Sequence, residues 1–220
     1  MRRSDHKFTS CHLSIIIFYH LSFIMNSMDN TPKILSEEIL SDNWYTLKKV
    51  TFEYSKKDGE KVIQTREAYD RGNGATILLY NKTQKTVILT RQFRVPTLLN
   101  GNVSGMMIEA IAGLLDDDEP DECIRRETEE ETGYVITNVQ RIFQTYMSPG
   151  SVTEILFFYI GAYTSAMKVN EGGGIDGENI EVLELPFDEA YDMIRTGEIK
   201  DAKTVMLLQH LRVQMLEAGL

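Results

Sequence analysis

The apolar positions along the chain fall into two periods. Trp44 to Tyr54 and Lys61 to Tyr69 alternate as strands do, and Lys57-Asp58-Gly59 between them carries the Asp-Gly pair favoured in hairpin turns. Ala75 to Tyr80 and Thr86 to Arg91 predict a second hairpin with an apolar interior of Ile77, Leu78, Leu79, Val87, Ile88 and Leu89. Met106 to Ile111 reads as a further strand, followed later by Val139 to Thr145 and Val152 to Tyr163. The last of these is almost wholly apolar, which predicts a central position in a sheet. Ile180 to Leu185 is the final strand before Pro186, after which Phe187 to Thr196 and Asp201 to Leu216 take on helical periodicity. One helix interrupts the strands, Asp121 to Thr132, with Pro120 at its start and Gly133 closing it. This order predicts an α/β sandwich around a mixed sheet.

Residues 1–33 differ from the rest of the chain. Arg2, Arg3 and Lys7 precede the apolar run Leu13 to Met25, which has the outline of a secretion signal. The run contains Tyr19 and His20, is followed by no small-x-small cleavage site, and is too short to span a bilayer. Met25 and Met28 are both plausible starts, so residues 1–33 are read as a leader outside the fold. Residues 34–73 are expected to form a β-hairpin subdomain and 74–220 the main domain. A two-stranded unit is marginal alone, so the hairpin should pack on the main domain or on a second subunit. Trp44, the single tryptophan, is either an apolar anchor for it or a stacking surface for a base.

At 220 residues, with 42% hydrophobic residues, the chain can bury one substantial core. Its net charge of -10 argues against a nucleic-acid backbone as partner, and a phosphate-bearing small molecule would need cations as intermediaries. Cys11 and Cys123 are too few for a disulfide framework, which fits a reducing cytoplasm, and with the apolar run too short to span a bilayer no membrane partner is expected.

Charge is concentrated in Ala112 to Tyr134, which holds ten acidic residues and two arginines. On the predicted helix Glu127, Glu130 and Glu131 share one side, while Ile124 and Thr128 occupy the adjoining stripe and can pack inward. Pairs Arg125-Glu129 and Arg126-Glu130 would explain a solvated face, but they leave Glu127 and Glu131 as like charges one turn apart. A hard divalent cation reverses the sign of that contact, and oxygen ligands are what Mg²⁺ takes. A calcium loop starting at Asp116 fails because Pro120 and Asp121 occupy its fifth-ligand and glycine positions. Arg91 and Arg94 leave the second hairpin as forks suited to phosphate or to surface pairing. Glu154, a lone charge at the start of the apolar strand, reaches either a polar cleft or the strand's wet end. Lys168 to Glu178, with Gly172-Gly173-Gly174, reads as a mobile loop able to act as a lid.

Gly113-x5-Glu119 followed by Arg126-Glu127-Thr128-Glu129-Glu130-Glu131-Thr132-Gly133-Tyr134 resembles the signature of the Nudix family. The chain departs from it in two places. Six residues, not seven, separate Glu119 from Arg126, and Thr128 stands where an aliphatic residue is preferred. The resemblance extends from about Ile39 to Leu211. Ser148-Pro149-Gly150 is similar to the pattern of members that hydrolyse nucleoside diphosphate sugars. Arg71 to Thr76, the Gly-rich loop and Thr196-Gly197-Glu198-Ile199 look most like the branch that cleaves GDP-mannose.

The resemblance implies a Nudix-type α/β/α sandwich around a mixed sheet with an N-terminal β-hairpin subdomain. It also implies Mg²⁺-dependent hydrolysis of a nucleoside diphosphate sugar, GDP-mannose and water giving GMP and mannose 1-phosphate. ADP-ribose pyrophosphatase activity and a non-catalytic nucleotide-sugar sensor are the alternatives. Metal ligands would be the carbonyl of Ala112 with Glu127, Glu131 and Glu178, and either Glu130 or Glu178 would serve as base. Substrate contacts would fall on Arg66, Glu67, Arg94, Gly113, Leu114, Glu131, Glu154, Gly177 and Lys203, and on Trp44 supplied by the partner of a homodimer.

Overall fold

The computed structural model describes residues 30–175 and 177–219. The reading of residues 1–33 as a leader lies outside them for residues 1–29, while Lys33 already begins the first strand. The described chain forms two compact units: residues through Leu40 with Lys48–Glu67, and Ser41–Leu47 with Ala68 onward.

The first unit is a three-stranded sheet in the order β1 (Lys33–Asp42), β2 (Thr46–Ser55), β3 (Lys61–Asp70). The expected hairpin is β2 and β3, turning at Gly59 with φ 86°. The sheet has a third strand that the pattern did not predict. In β1 the apolar residues come as adjacent pairs, Ile34-Leu35 and Ile39-Leu40, which is not an alternation, and all four are exposed. Cross-strand pairs hold the sheet: Lys49 to Glu38 at 2.9 Å, Lys61 to Glu53 at 3.1 Å, and Thr51 to Thr65 at 3.0 Å.

The second unit is built on a seven-stranded mixed sheet. After β4 (Gly74–Asn81) and β5 (Thr86–Phe93) come the short helix α1 (Val95–Leu99), β6 (Met106–Glu109) and β7 (Ile111–Leu114). Then follow α2 (Pro120–Thr132), β8 (Val139–Tyr146), β9 (Ile155–Ala162), β10 (Glu181–Pro186), α3 (Phe187–Thr196) and α4 (Ala202–Glu217). The sheet runs β10-β5-β4-β9-β8, with β6 paired to β5 and β7 to β4. β4 and β9 are parallel and the other pairings antiparallel. The nearly all-apolar β9 is central, as its composition requires.

The single strand predicted for Met106 to Ile111 is broken at Ala110, and its two halves cross to different neighbours. The reason is tertiary, because the Ala110 N–H leaves the ladder and donates to Thr204 Oγ1 in α4 at 2.6 Å.

Alternation within β4 and β5 divides the core. Leu78, Val87 and Leu89 face Phe187, Leu207, Leu208 and Leu211 of α3 and α4. Ala75, Ile77, Leu79 and Ile88 face Cys123 and Ile124 of α2. Each fully buried aliphatic side chain contributes about 1.5 to 3 kcal/mol, so the two faces pin helices to opposite sides of one sheet.

Candidate active site

Helix α2 forms where its punctuation predicts, with Pro120 in the first turn and Gly133 closing it in the left-handed region at φ 76°. Thr128 is fully buried yet satisfied, because its Oγ1 donates to the Ile124 carbonyl at 2.6 Å. A hydroxyl therefore serves at this apolar position. Tyr159 Oη on β9 donates to Asp121 at 2.6 Å and fastens the helix start to the sheet. Cys123 is buried against the Leu114 carbonyl, and burial pushes its thiol up to about 12.

Docked in this way, α2 turns three carboxylates toward a cleft of about 560 Å³. The cleft walls include Trp44, Tyr45, Arg71, Arg94, Ala112, Gly113, Leu114, Glu127, Glu130, Glu131, Glu154, Glu178, Asp201 and Lys203. Its size is that of a small-molecule site. Glu127 reaches it because Gly113 has no side chain, and a Cβ there would overlap the Glu127 carboxyl group. Arg126 ties this face together, contacting Glu127 at 2.8 Å, Glu130 at 3.2 Å and Asp118 at 3.1 Å. Of the two pairs expected along the helix, Arg126-Glu130 forms. Arg125 turns instead to Asp121 at 3.7 Å and to the Thr137 carbonyl at 3.3 Å.

Glu131 is 5% exposed, and its Oε2 is buried with no hydrogen-bond partner. Burial, reinforced by the nearby Glu127 charge, pushes its carboxyl up to about 8. Burial also raises Glu127, with Glu130 adding to the effect against Arg126. An unpaired buried carboxylate next to a second one is the donor set of a divalent cation that supplies the missing charge. Among the described residues no three Asp, Glu, His or Cys side chains close around a common point. The fit is to two helix carboxylates, with Ala112 lining the same cleft, while the Glu178 carboxylate accepts the Ile175 N–H at 3.1 Å.

The cleft is also lined by cations. Arg94 donates through Nε and Nη2 to both oxygens of Glu109 at 2.8 and 3.0 Å, and Lys203 Nζ meets Glu109 Oε2 at 2.5 Å. Burial opposes ionisation of Glu109, yet the bonds from Arg94 and the Lys203 charge hold its carboxyl near 2. Glu154, the lone charge before β9, does reach the polar cleft, with its side chain 12% exposed and 3.5 Å from Arg71 Nε. Arg71 also lies over the Tyr45 ring, 5.3 Å from its centroid.

The NUDIX domain model matches residues 70–208, and the model of the GDP-mannose pyrophosphatase NudK N-terminal domain matches residues 33–69. The chain belongs to the Nudix hydrolase family. Proteins described as GDP-mannose pyrophosphatase from Escherichia coli O1:K1 / APEC and from Escherichia coli strain K12 / DH10B are each 56% identical to it over 183 residues. Those residues are 83% of this chain and 96% of each relative. A crystal structure of an ADP compounds hydrolase superposes with a TM-score of 0.67 at 20% identity, over 86% of this chain and 96% of that one. At that identity the likeness establishes the fold. Nudix hydrolases use divalent metal ions, in keeping with the orphaned Glu131 oxygen.

The Nudix signature maps onto β7, the turn after it and α2, so the motif is contiguous in sequence and in space. Glu119, whose spacing departs from the pattern, is exposed at the N-cap of α2 and gives no side-chain cap. Three expected contacts are not part of the cleft wall. Arg66 and Glu67 belong to the first unit, where Arg66 bonds the Thr65 carbonyl and Gln64. Gly177 sits in the Gly-rich loop with open space around it. Trp44 stands on the rim of its own chain's cleft, 85% exposed, where the resemblance implied a partner's.

The first half of the loop expected to be mobile is docked on the end of α2. Gly173 and Gly174 donate to the Glu131 and Glu130 carbonyls at 2.9 and 3.0 Å. Sequence reading missed Glu109, Arg71, Tyr45 and Asp201. Glu109 carried a usable signal, since it is a lone charge in the run Met106-Met107-Ile108-Glu109-Ala110-Ile111.

Proposed function

We propose that this Nudix hydrolase cleaves GDP-mannose with water to GMP and mannose 1-phosphate, using Mg²⁺. The observation that carries the reading is the cleft, lined both by an unpaired buried carboxylate on α2 and by a fixed pair of cations. A nucleoside diphosphate accompanied by divalent cations is the ligand that would satisfy this lining. Arg94 and Lys203 would hold its phosphate oxygens, and Glu127, Glu131 and the Ala112 carbonyl would hold the cations. The 56% identity to proteins described as GDP-mannose pyrophosphatases supports the choice of substrate.

Mg²⁺, when bound, supplies charge neutralisation on the phosphate oxygens and an acidified water. The chain does the rest by positioning. Arg94 and Lys203 orient the diphosphate, and Glu154 and Arg71 shape the wall beside it. A carboxylate at the cleft, Glu178 on the loop or Glu130 on the helix, accepts the proton from the attacking water. The pH profiles of Glu178→Gln and Glu130→Gln separate them, because loss of the base removes the acidic limb of kcat.

The active form in this reading is a cytoplasmic homodimer. The apolar residues exposed on the N-terminal sheet, Ile34, Ile39 and Ile63 among them, support a second subunit as cover, and Arg66 and Glu67 are then brought by the partner. The described residues include no helix long and apolar enough to cross a membrane. The test is to incubate the protein with Mg²⁺ and GDP-mannose and measure GMP and mannose 1-phosphate. Faster turnover of ADP-ribose would move the assignment to that substrate, and binding without turnover would make the chain a sensor.

A further inference from the structure

We infer that Glu109 is a positioning residue, a buried anion that clamps Arg94 and Lys203 into one preformed phosphate-binding pair. The inference rests on the proposed role of those two cations toward a nucleoside diphosphate. It adds a residue that touches neither the metal ligands nor the substrate.

Three elements meet at this point. Arg94 follows the end of β5, Glu109 ends β6, and Lys203 lies in the first turn of α4. The Glu109 side chain is 4% exposed, and the Arg94 fork occupies both of its oxygens while Lys203 shares one. Two cations at such close quarters repel, and their long side chains would otherwise sample many rotamers. One shared carboxylate removes the repulsion and fixes both heads. The bidentate bond uses Nε and Nη2 of Arg94, so Nη1 stays available to a phosphate oxygen.

The clamp is itself held from behind. Thr204 Oγ1 accepts the Ala110 N–H at 2.6 Å and donates to the Asp201 carboxylate at 2.5 Å. Asp201 caps α4 through the Thr204 N–H at 3.0 Å and stands 3.1 Å from Lys203 Nζ. The break between β6 and β7 therefore has a use. It turns Ala110 toward α4, so that Glu109 meets Lys203 at a fixed distance.

The test is Glu109→Gln in the full chain, which keeps volume and one acceptor but removes the charge. Calorimetric titration with GDP in Mg²⁺ should show affinity weakened about 10- to 100-fold, the range for losing a charge-assisted bond. The loss should be smaller in a Lys203→Met background, where only one cation remains to be held, and Glu109→Asp should recover part of it. A stably folded Glu109→Gln protein that binds GDP as the parent does overturns the proposal. So do losses from Glu109→Gln and Lys203→Met that multiply independently. Should Glu109→Gln not fold, Glu109→Asp carries the test alone, because its shorter arm cannot reach both cations and unchanged GDP affinity would refute the clamp. A parent protein that binds no GDP at millimolar concentration also refutes it. A parent that binds GDP but leaves GDP-mannose intact refutes the proposed reaction and leaves the clamp to be judged on binding.

Discussion

Glu109 and Glu131 are two carboxylates buried beside one cleft, and they have opposite electrostatic fates. Glu109 takes three hydrogen bonds from Arg94 and Lys203 and is held near 2. Glu131 has an oxygen with no partner, and its carboxyl is pushed up to about 8. Burial is similar at the two sites, so it does not explain the difference. At Glu109 the protein carries its own counter-charge in direct contact, and at Glu131 one oxygen has no hydrogen-bond partner, which is the basis for proposing it as a metal ligand. A buried acid without a partner, facing a cleft, marks a ligand site more sharply than acidity in the sequence does.

The largest effect should come from neutralising the unpaired side. Glu131→Gln and Glu127→Gln should each lower kcat about 100-fold or more. Above pH 8, where the parent's buried carboxylate is charged and unsatisfied, the metal-free Glu131→Gln protein should melt no lower than the parent. Activity unchanged at saturating Mg²⁺ would end the metal-ligand assignment. Gly113→Ala should follow, with kcat/KM reduced about 10- to 100-fold because the new Cβ displaces the Glu127 carboxyl. A crystal structure of that variant with Glu127 unmoved and activity intact would refute this account of Gly113.

Trp44 stands on the rim of the cleft that Glu131 lines, and its expected role is in binding. Trp44→Ala should raise KM about 5- to 150-fold, equivalent to about 1 to 3 kcal/mol, with kcat little changed, as loss of base stacking does. Mixing Trp44→Ala with Glu127→Gln protein under subunit exchange then asks whose cleft Trp44 serves. The homodimer reading expects activity above either parent, whereas no recovery after exchange verified by mass spectrometry keeps Trp44 with the cleft whose rim it forms.

The smallest effect is on stability. Folding raises the Glu131 pKa, so the folded state binds more protons than the unfolded state between the ordinary carboxylate range and about 8. That stabilisation is complete below the unfolded pKa and is lost as pH rises through about 8. The metal-free protein should therefore melt lower at pH 8 than at pH 5, by about 2 to 4 °C per kcal/mol for a domain of this size. Mg²⁺ or Glu131→Gln should flatten the slope. A metal-free melting temperature independent of pH in both proteins would remove the contrast with Glu109.

The sequence alone determined what depends on local pattern. Helix α2 was legible from Pro120, Gly133 and the spacing of Glu127, Glu130 and Glu131, because capping and a 3.6-residue period act within a few residues. The strands β4, β5 and β9 were legible because fully buried strands need unbroken apolar runs. The strand β1 was not, since its paired apolar residues fit no alternation. Nor was the break at Ala110, which is made by a hydrogen bond to Thr204, 94 residues away. Only the tertiary structure separated one glutamate from another. It gave Glu109 direct bonds to Arg94, just past β5, and to Lys203 of α4, and left one Glu131 oxygen without a hydrogen-bond partner, because a charge's partner is set by which elements meet at it and not by its neighbours along the chain.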